Sequence, residues 1–164
     1  MEKDSEKIAA ETRIGHVHLK VSDLERSVGF YRDVLGFEVT ARIAGSAAFL
    51  SAGGYHHHIG LNTWESKGGK PTPPGSTGLY HFAILVPGRK ELAKVFKRLM
   101  DKKWPIEGAS DHGVSEAIYL RDPDGNGIEI YCDRPREQWP KDVKGGIDMY
   151  TKRLDVEGLV EELD

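Results

Sequence analysis

The chain has 164 residues, a length that suits one compact domain, since domains commonly run from roughly 100 to 200 residues. Its 23 basic and 26 acidic side chains give a net charge of −3. No stretch concentrates positive charge, so neither nucleic acid nor an anionic membrane is an expected partner. Cys132 is the only cysteine, which excludes an intrachain disulfide and a cysteine-rich zinc site and suits a reducing, cytoplasmic compartment. Residues 1–11 mix Glu, Lys and Asp without an apolar run and read as a flexible N-terminus. Nowhere does an apolar run approach the roughly 18 residues of a membrane span.

Arg13 to Val21 alternates as a strand does, with Val17, Leu19 and Val21 on one face and His16, His18 and Lys20 on the other. A helix is expected next, with Ser22 as N-cap, Glu25 completing a capping box, and Leu24, Val28, Tyr31 and Leu35 at helical spacing. Gly36 should end it. Phe37 to Ile43, Ala47 to Ala52 and His56 to Trp64 read as three more strands, separated by the turns Ala44-Gly45-Ser46 and Gly53-Gly54. The unit is βαβββ. Glu65 to Gly78 has the Gly, Pro, Ser and Lys content of a linker.

After the linker the same order repeats. Leu79 to Val86 is a strand, Arg89 to Lys103 a helix with an apolar stripe through Leu92, Val95, Phe96 and Leu99, and three strands follow at Pro105 to Ser110, Glu116 to Arg121 and Gly127 to Cys132. The turn Asp122-Pro123-Asp124-Gly125-Asn126-Gly127 joins the last two. The expected architecture is α+β: two pseudosymmetric βαβββ modules, about 12–64 and 78–133, forming one curved mixed sheet around a metal site within a domain spanning 12–139. Residues 140–164 read as a C-terminal helical arm, with helix-like character from Leu154 to Leu163.

Aligned on their strands, His16 of the first module corresponds to His81 of the second, and Gly60 corresponds to Glu129. Strand parity turns His81 away from Phe82, Ile84 and Val86, and Glu129 away from Ile128 and Ile130, so His16, His81 and Glu129 should face the concave side together. Two imidazoles and one carboxylate leave coordination positions open, as at non-haem Fe(II) oxygenase sites and some catalytic zinc sites. His18 shares the face of His16, and parity alone does not choose between them.

The run Ile14-Gly15-His16-Val17-His18-Leu19-Lys20-Val21-Ser22-Asp23-Leu24-Glu25-Arg26-Ser27, with Phe30-Tyr31 and Leu35-Gly36-Phe37, resembles the opening module of the vicinal oxygen chelate superfamily. That group includes glyoxalase I, bleomycin and fosfomycin resistance proteins and extradiol ring-cleaving dioxygenases. The resemblance covers roughly Thr12 to Trp139 and implies His16 rather than His18 as first ligand, with His81 and Glu129 as the others. It also implies that Gly60 stands where glyoxalase I carries a fourth ligand.

His112, then Ile118-Tyr119-Leu120-Arg121-Asp122-Pro123-Asp124-Gly125-Asn126-Gly127-Ile128-Glu129, closely resembles the extradiol ring-cleavage signature, with Ser110 the one departure. The resemblance implies that His112 and Tyr119 contact the oxygens of a catecholate. The family's His-x-Ile-(Ala/Gly)-Leu pattern lands on His57 as acid/base, whereas counting back from Gly60 puts His56 and His58 on the pocket face. A bulge after Gly53-Gly54 would reconcile the two in favour of His57.

The resulting expectation is a metal-dependent extradiol dioxygenase, or a close relative, acting on a catechol-like vicinal diol with O2. Fe(II) is the expected metal, with Mn, Zn or Ni as alternatives. A glyoxalase-like or fosfomycin-thiol-transferase-like enzyme and a metal-free bleomycin-resistance-type binding protein are the competing readings. Extradiol enzymes of this superfamily usually carry four modules, so this chain resembles one metal-bearing half. A homodimer is expected, with Leu154, Leu159 and Leu163 as the apolar stripe for the contact.

Overall fold

In the computed structural model, which describes residues 7–164, each half of the chain builds its own sheet. The first half runs β1 (Val17–Lys20), helix α1 (Leu24–Gly29) continuing into a π-helical turn over Phe30–Val34, β2 (Glu38–Ile43), β3 (Ala47–Ser51) and β4 (Ile59–Asn62). Across this sheet the order is β1-β4-β3-β2, with β1 parallel to β4 and the other pairs antiparallel. The second half repeats the plan with β5 (Phe82–Leu85), α2 (Arg89–Asp101), β6 (Ile106–Asp111), β7 (Ser115–Arg121) and β8 (Gly127–Asp133). Here β5 is parallel to β8, and the order is β5-β8-β7-β6 with a short β9 (Lys152–Arg153) added outside β6. The flexible segment expected over 1–11 lies, for residues 1–6, outside the described residues.

The α+β class and the two βαβββ units are present, but the single curved sheet is replaced by two sheets. Among the described residues, β1 and β5 each pair on one side only and form the edges of separate ladders. What joins the halves is packing and side-chain hydrogen bonding rather than a shared strand ladder. One apolar cluster runs through both, from Leu19, Val28, Leu50 and Leu61 to Leu92, Leu99, Ile118 and Ile130. Phe30 and Trp104 meet ring to ring at 4.5 Å, and the Arg98 guanidinium donates to the Leu35 carbonyl at 2.9 Å.

The start of α1 differs from the capping box expected at Ser22 and Glu25. Asp23 is the N-cap, in an extended conformation, and its carboxylate accepts from the Arg26 N–H at 3.0 Å. Ser22 is instead engaged with the turn between β7 and β8: its N–H and its hydroxyl both donate to the Asp124 carboxylate. Arg26 and the Ser27 hydroxyl reach the same carboxylate. Two residues back in that turn, Asp122 accepts from the buried Tyr31 hydroxyl at 3.0 Å and from three N–H groups of its own turn, on Asp124 and Asn126. Glu25 is turned away to pair with Arg42.

The C-terminal arm also departs from a continuous helix over Leu154–Leu163. It forms α3 (Val156–Val160), capped by Asp155, and a single 3-10 turn at Glu161–Leu163. Leu154 and Leu159 are buried in the chain's own core, so the stripe expected to meet a second subunit is covered internally. Arg89, at the start of α2, clamps this arm by donating to Glu116, Glu162 and the Gly158 carbonyl.

Burial first, and then Asp122, pushes the Tyr31 phenol well above the ordinary tyrosine range. The folded chain therefore keeps this proton after the unfolded chain has lost it near pH 10, so the stability it contributes is complete below about pH 10 and declines as pH rises beyond. Tyr31→Phe should lower unfolding free energy by about 2 kcal/mol at neutral pH, the range for a hydrogen bond to a charged group, and should flatten the decline in alkali. Urea titrations of both proteins at about pH 7 and pH 10.5 measure the two effects, and an unchanged midpoint would discard the contact's role.

Candidate metal centre

Glu129 lies in the middle of β8, in register with Ala83 of β5 on one side and Tyr119 of β7 on the other. Its neighbours Ile128 and Ile130 point into the core, so alternation sends the carboxylate to the opposite face. His81 immediately precedes β5. A β-carbon at Gly127 would stand 2.3 Å from the Tyr80 carbonyl oxygen and 3.1 Å from the His81 β-carbon, so glycine there allows the Tyr80–His81 backbone to close on β8. As a result His81 Nε2 faces Glu129 Oε2 at 2.8 Å, with side chains 30 % and 14 % exposed. An imidazole nitrogen and a carboxylate oxygen so placed suit a borderline or hard divalent ion.

The other carboxylate oxygen is held as well. Tyr119 O–H lies 3.0 Å from Glu129 Oε1, and the same hydroxyl lies 2.6 Å from His112 Nε2. His112 Nδ1 is 3.0 Å from the Tyr150 carbonyl oxygen. A carbonyl has no proton to give, so Nδ1 carries the hydrogen and a neutral His112 presents a bare Nε2 to Tyr119. The single phenolic proton then has two acceptors. With one more proton on Nε2, His112 donates to the Tyr119 oxygen and Tyr119 donates to Glu129, and every atom in the row is satisfied. Burial, reinforced by Glu129, raises the Tyr119 phenol above its ordinary range, so Tyr119 is a hydroxyl donor and not a phenolate.

The first module gathers a different group. His16 stacks against His57 with ring centroids 4.5 Å apart, and His57 lies 5.0 Å from the Phe49 ring. His56 Nδ1 approaches His57 Nδ1 at 2.8 Å. His58 turns the other way, its Nδ1 meeting the Ser51 hydroxyl at 3.1 Å. Of the adjacent histidines it is thus His57 that packs on His16, against the parity count. Parity fails here because β4 begins at Ile59 and not at His56; the positive φ of Gly53 and Gly54 turns the chain, and residues 55–58 are not strand. Burial, then His16, lowers the basicity of His57, which favours the neutral imidazole. His18 sits over Gly60, where a β-carbon would come within 2.9 Å of its ring.

Among the described residues, no three His, Cys, Asp or Glu side chains gather closely enough to hold a metal ion. The structure therefore brings His81 and Glu129 together, with Tyr119 and His112 behind them, and leaves His16 with His57 at the lead-in to β1 and β4 of the other sheet. The residues thus fit a divalent ion at two of three expected positions. Beside His81 and Tyr119 opens a cleft of about 280 Å³, bordered by Tyr80, Glu107, Gly108 and Arg121. Sequence reading missed the Glu107–Arg121 ion pair, 2.7 Å across, on its rim; the signal would have been the pairing of β6 with β7.

A family model described as "Glyoxalase/Bleomycin resistance protein/Dioxygenase superfamily" matches residues 13–130. The chain belongs to this superfamily. It is 46 % identical over 156 residues to a catechol-2,3-dioxygenase of Bacillus subtilis, covering 94 % of this chain and 53 % of that protein. It is 30 % identical over 141 residues to a manganese-dependent 2,3-dihydroxybiphenyl 1,2-dioxygenase of Geobacillus genomosp. 3, covering 82 % of this chain and 41 % of the relative. The chain thus spans about half the length of these two relatives or less. Among solved structures, a glyoxalase/dioxygenase from Nostoc punctiforme superposes with a TM-score of 0.63 at 22 % identity, over 79 % of this chain and 98 % of that one; at that identity the likeness is one of fold.

The raised Tyr119 gives a spectroscopic expectation. In an ultraviolet titration, Tyr119→Phe should remove no group that ionises near the ordinary value of about 10, because the phenol in the folded protein ionises above it. Loss of a tyrosinate step at about pH 10 in the variant would contradict the half-buried, hydrogen-bonded row.

Proposed function

We propose that the chain is a metal-dependent extradiol ring-cleaving dioxygenase, or the metal-bearing part of one, acting on a catechol-like vicinal diol and O2. The observation that carries this reading is the unbroken row His112, Tyr119, Glu129, His81, in which an imidazole and a phenol stand directly behind the two groups proposed as ligands. The relatives that cleave catechol and dihydroxybiphenyl support it. His81 and Glu129 would hold the ion, with His16 as third ligand on the strength of its equivalent place in the first module. Fe(II) is the metal proposed, since imidazole donors suit it, with Mn(II) as the alternative on the strength of the manganese-dependent relative.

When bound, the ion supplies Lewis acidity toward the diol and a path for electrons between diol and O2. The chain's own residues do the rest. Tyr119 orients a substrate oxygen through its hydroxyl. His112 takes a substrate proton at Nε2 and returns it there, with His57 a second base near His16. The cleft beside His81 and Tyr119, about 280 Å³, is just smaller than the roughly 300 Å³ at which small-molecule sites begin, so the largest diol it suits is a single ring. We further propose that the protein is cytoplasmic, a placement that the unpaired, buried Cys132 supports, and that any homodimer forms through a surface other than Leu154 and Leu159, which the core covers.

Metal analysis of protein purified without chelator should find iron or manganese. His16→Ala, His81→Ala and Glu129→Ala should each weaken metal binding by more than about tenfold while remaining folded, since loss of mere outer-shell partners already costs about 10–100-fold. Full retention in the His81 or Glu129 variant would sink the site. Anaerobic Fe(II) loading followed by catechols and air should give a yellow ring-fission product. Its absence across a catechol panel, with thiol-transfer or isomerase activity in its place, would assign the chain to another branch of the superfamily.

A further inference from the structure

The C-terminal segment after β8 is built against one residue of the second module. β9 adds to β6 through Ser110↔Arg153 and Asp111↔Lys152, the two positions just before His112. Tyr150 then brackets His112: its N–H points at the His112 carbonyl oxygen at 3.4 Å, and its own carbonyl accepts from His112 Nδ1–H at 3.0 Å. The Thr151 hydroxyl stands 3.3 Å from the same nitrogen.

We propose that residues 139–153 are a positioning strap that fixes His112 as the Nδ1–H tautomer, so that it exchanges protons only through Nε2, toward Tyr119. The inference rests on the reading of His112 as the acid/base of the ring-cleavage site. A neutral imidazole has one hydrogen, and a free one places it on either nitrogen. The strap removes the choice by setting an acceptor that has no proton of its own against Nδ1. It also prevents a ring flip, which would lose both the Tyr150 and the Tyr119 contacts. When Nε2 takes a proton from a substrate hydroxyl, the charge that forms is shared with an Nδ1–H already hydrogen-bonded to a carbonyl dipole.

The strap is held at both ends and pressed down in the middle. At its start, Trp139 Nε1–H donates to the Arg134 carbonyl at 2.7 Å, and Arg134 itself bridges Asp111 and Glu116. At its end, Leu154 is buried in the core. Between them, Asp148 N–H donates to the Pro140 carbonyl at 2.9 Å, closing a loop. The turn it covers is shaped to receive it: Gly113 has φ +78°, and a β-carbon there would lie 2.6 Å from the Pro140 ring and 2.7 Å from the Tyr150 ring. Lys152 covers the outer face of Tyr150, its Nζ 4.3 Å from the ring centroid.

The test reads the tautomer directly. In the full chain with 15N-labelled histidine, treated with chelator and held at about pH 8, above the ordinary histidine range, long-range 1H–15N correlation distinguishes the two tautomers. The His112 signal is assigned by its loss in His112→Gln. His112 should carry its proton on Nδ1. Tyr150→Ala, which removes the ring that presses on Gly113, should admit the Nε2–H tautomer and lower kcat on catechol by about tenfold, with KM held within about a factor of two. An Nε2–H tautomer in the unsubstituted protein overturns the strap whatever the variant does. So does an undisturbed Nδ1–H tautomer in a folded Tyr150→Ala. If the tautomer is Nδ1–H and shifts in the variant, yet no catechol is cleaved, the strap stands and the ring-cleavage reading falls.

Discussion

The two halves of the molecule are keyed together by carboxylates in one turn, and the site depends on that joint. Asp124 gathers donors from Ser22, Arg26 and Ser27 at the start of the first module's helix, while Asp122 takes the buried Tyr31 hydroxyl from the same helical segment. The turn that carries both connects β7 to β8, the strands of Tyr119 and Glu129. The position of the second module's chemistry is thus set by groups of the first. A buried carboxylate is costly unless its lone pairs are filled. Asp122 meets that demand with three donors from its own turn and one from across the joint, so the turn and the docking of the two halves share one carboxylate.

Much of this was legible in the sequence because it depends on local rules. Alternation placed Leu19 and Val21 inward and His16 and His18 outward, and separated Glu129 from Ile128 and Ile130, as found. The repeat of βαβββ order emerged from spacing alone. Tyr119 and Glu129 are cross-strand partners, a relation that the short Asp-Pro-Asp-Gly-Asn-Gly turn nearly dictates once the hairpin is recognised.

Other features were hidden because they depend on partners distant in sequence. Ser22 has the composition of an N-cap, but a carboxylate 102 residues away claims it, and Asp23 caps the helix instead. The order of histidines 56 to 58 was miscounted by alternation because the strand starts only at Ile59. The C-terminal leucines have a periodic look that suits a subunit contact, and only the packed core shows them consumed within the chain. His16 illustrates a different limit: equivalence between modules predicts its place just before the first strand, as His81 stands just before β5, yet the relative setting of two separate sheets is a tertiary matter that no strand pattern encodes.

The close approach of His18 to Gly60 has an implication for how sites of this kind diverge. Position 60 is the counterpart of Glu129, so it is where the first module would offer a carboxylate of its own. The imidazole of His18 fills the volume that even a β-carbon there would enter. Coordination number is therefore tied to the bulk of a neighbouring strand residue, and gaining a ligand at 60 takes two changes in order: the ring at 18 must shrink or turn aside before a longer side chain at 60 has room. A step that demands a prior change at a neighbouring residue acts as a ratchet, holding the first module to a single candidate ligand while the second keeps its pair.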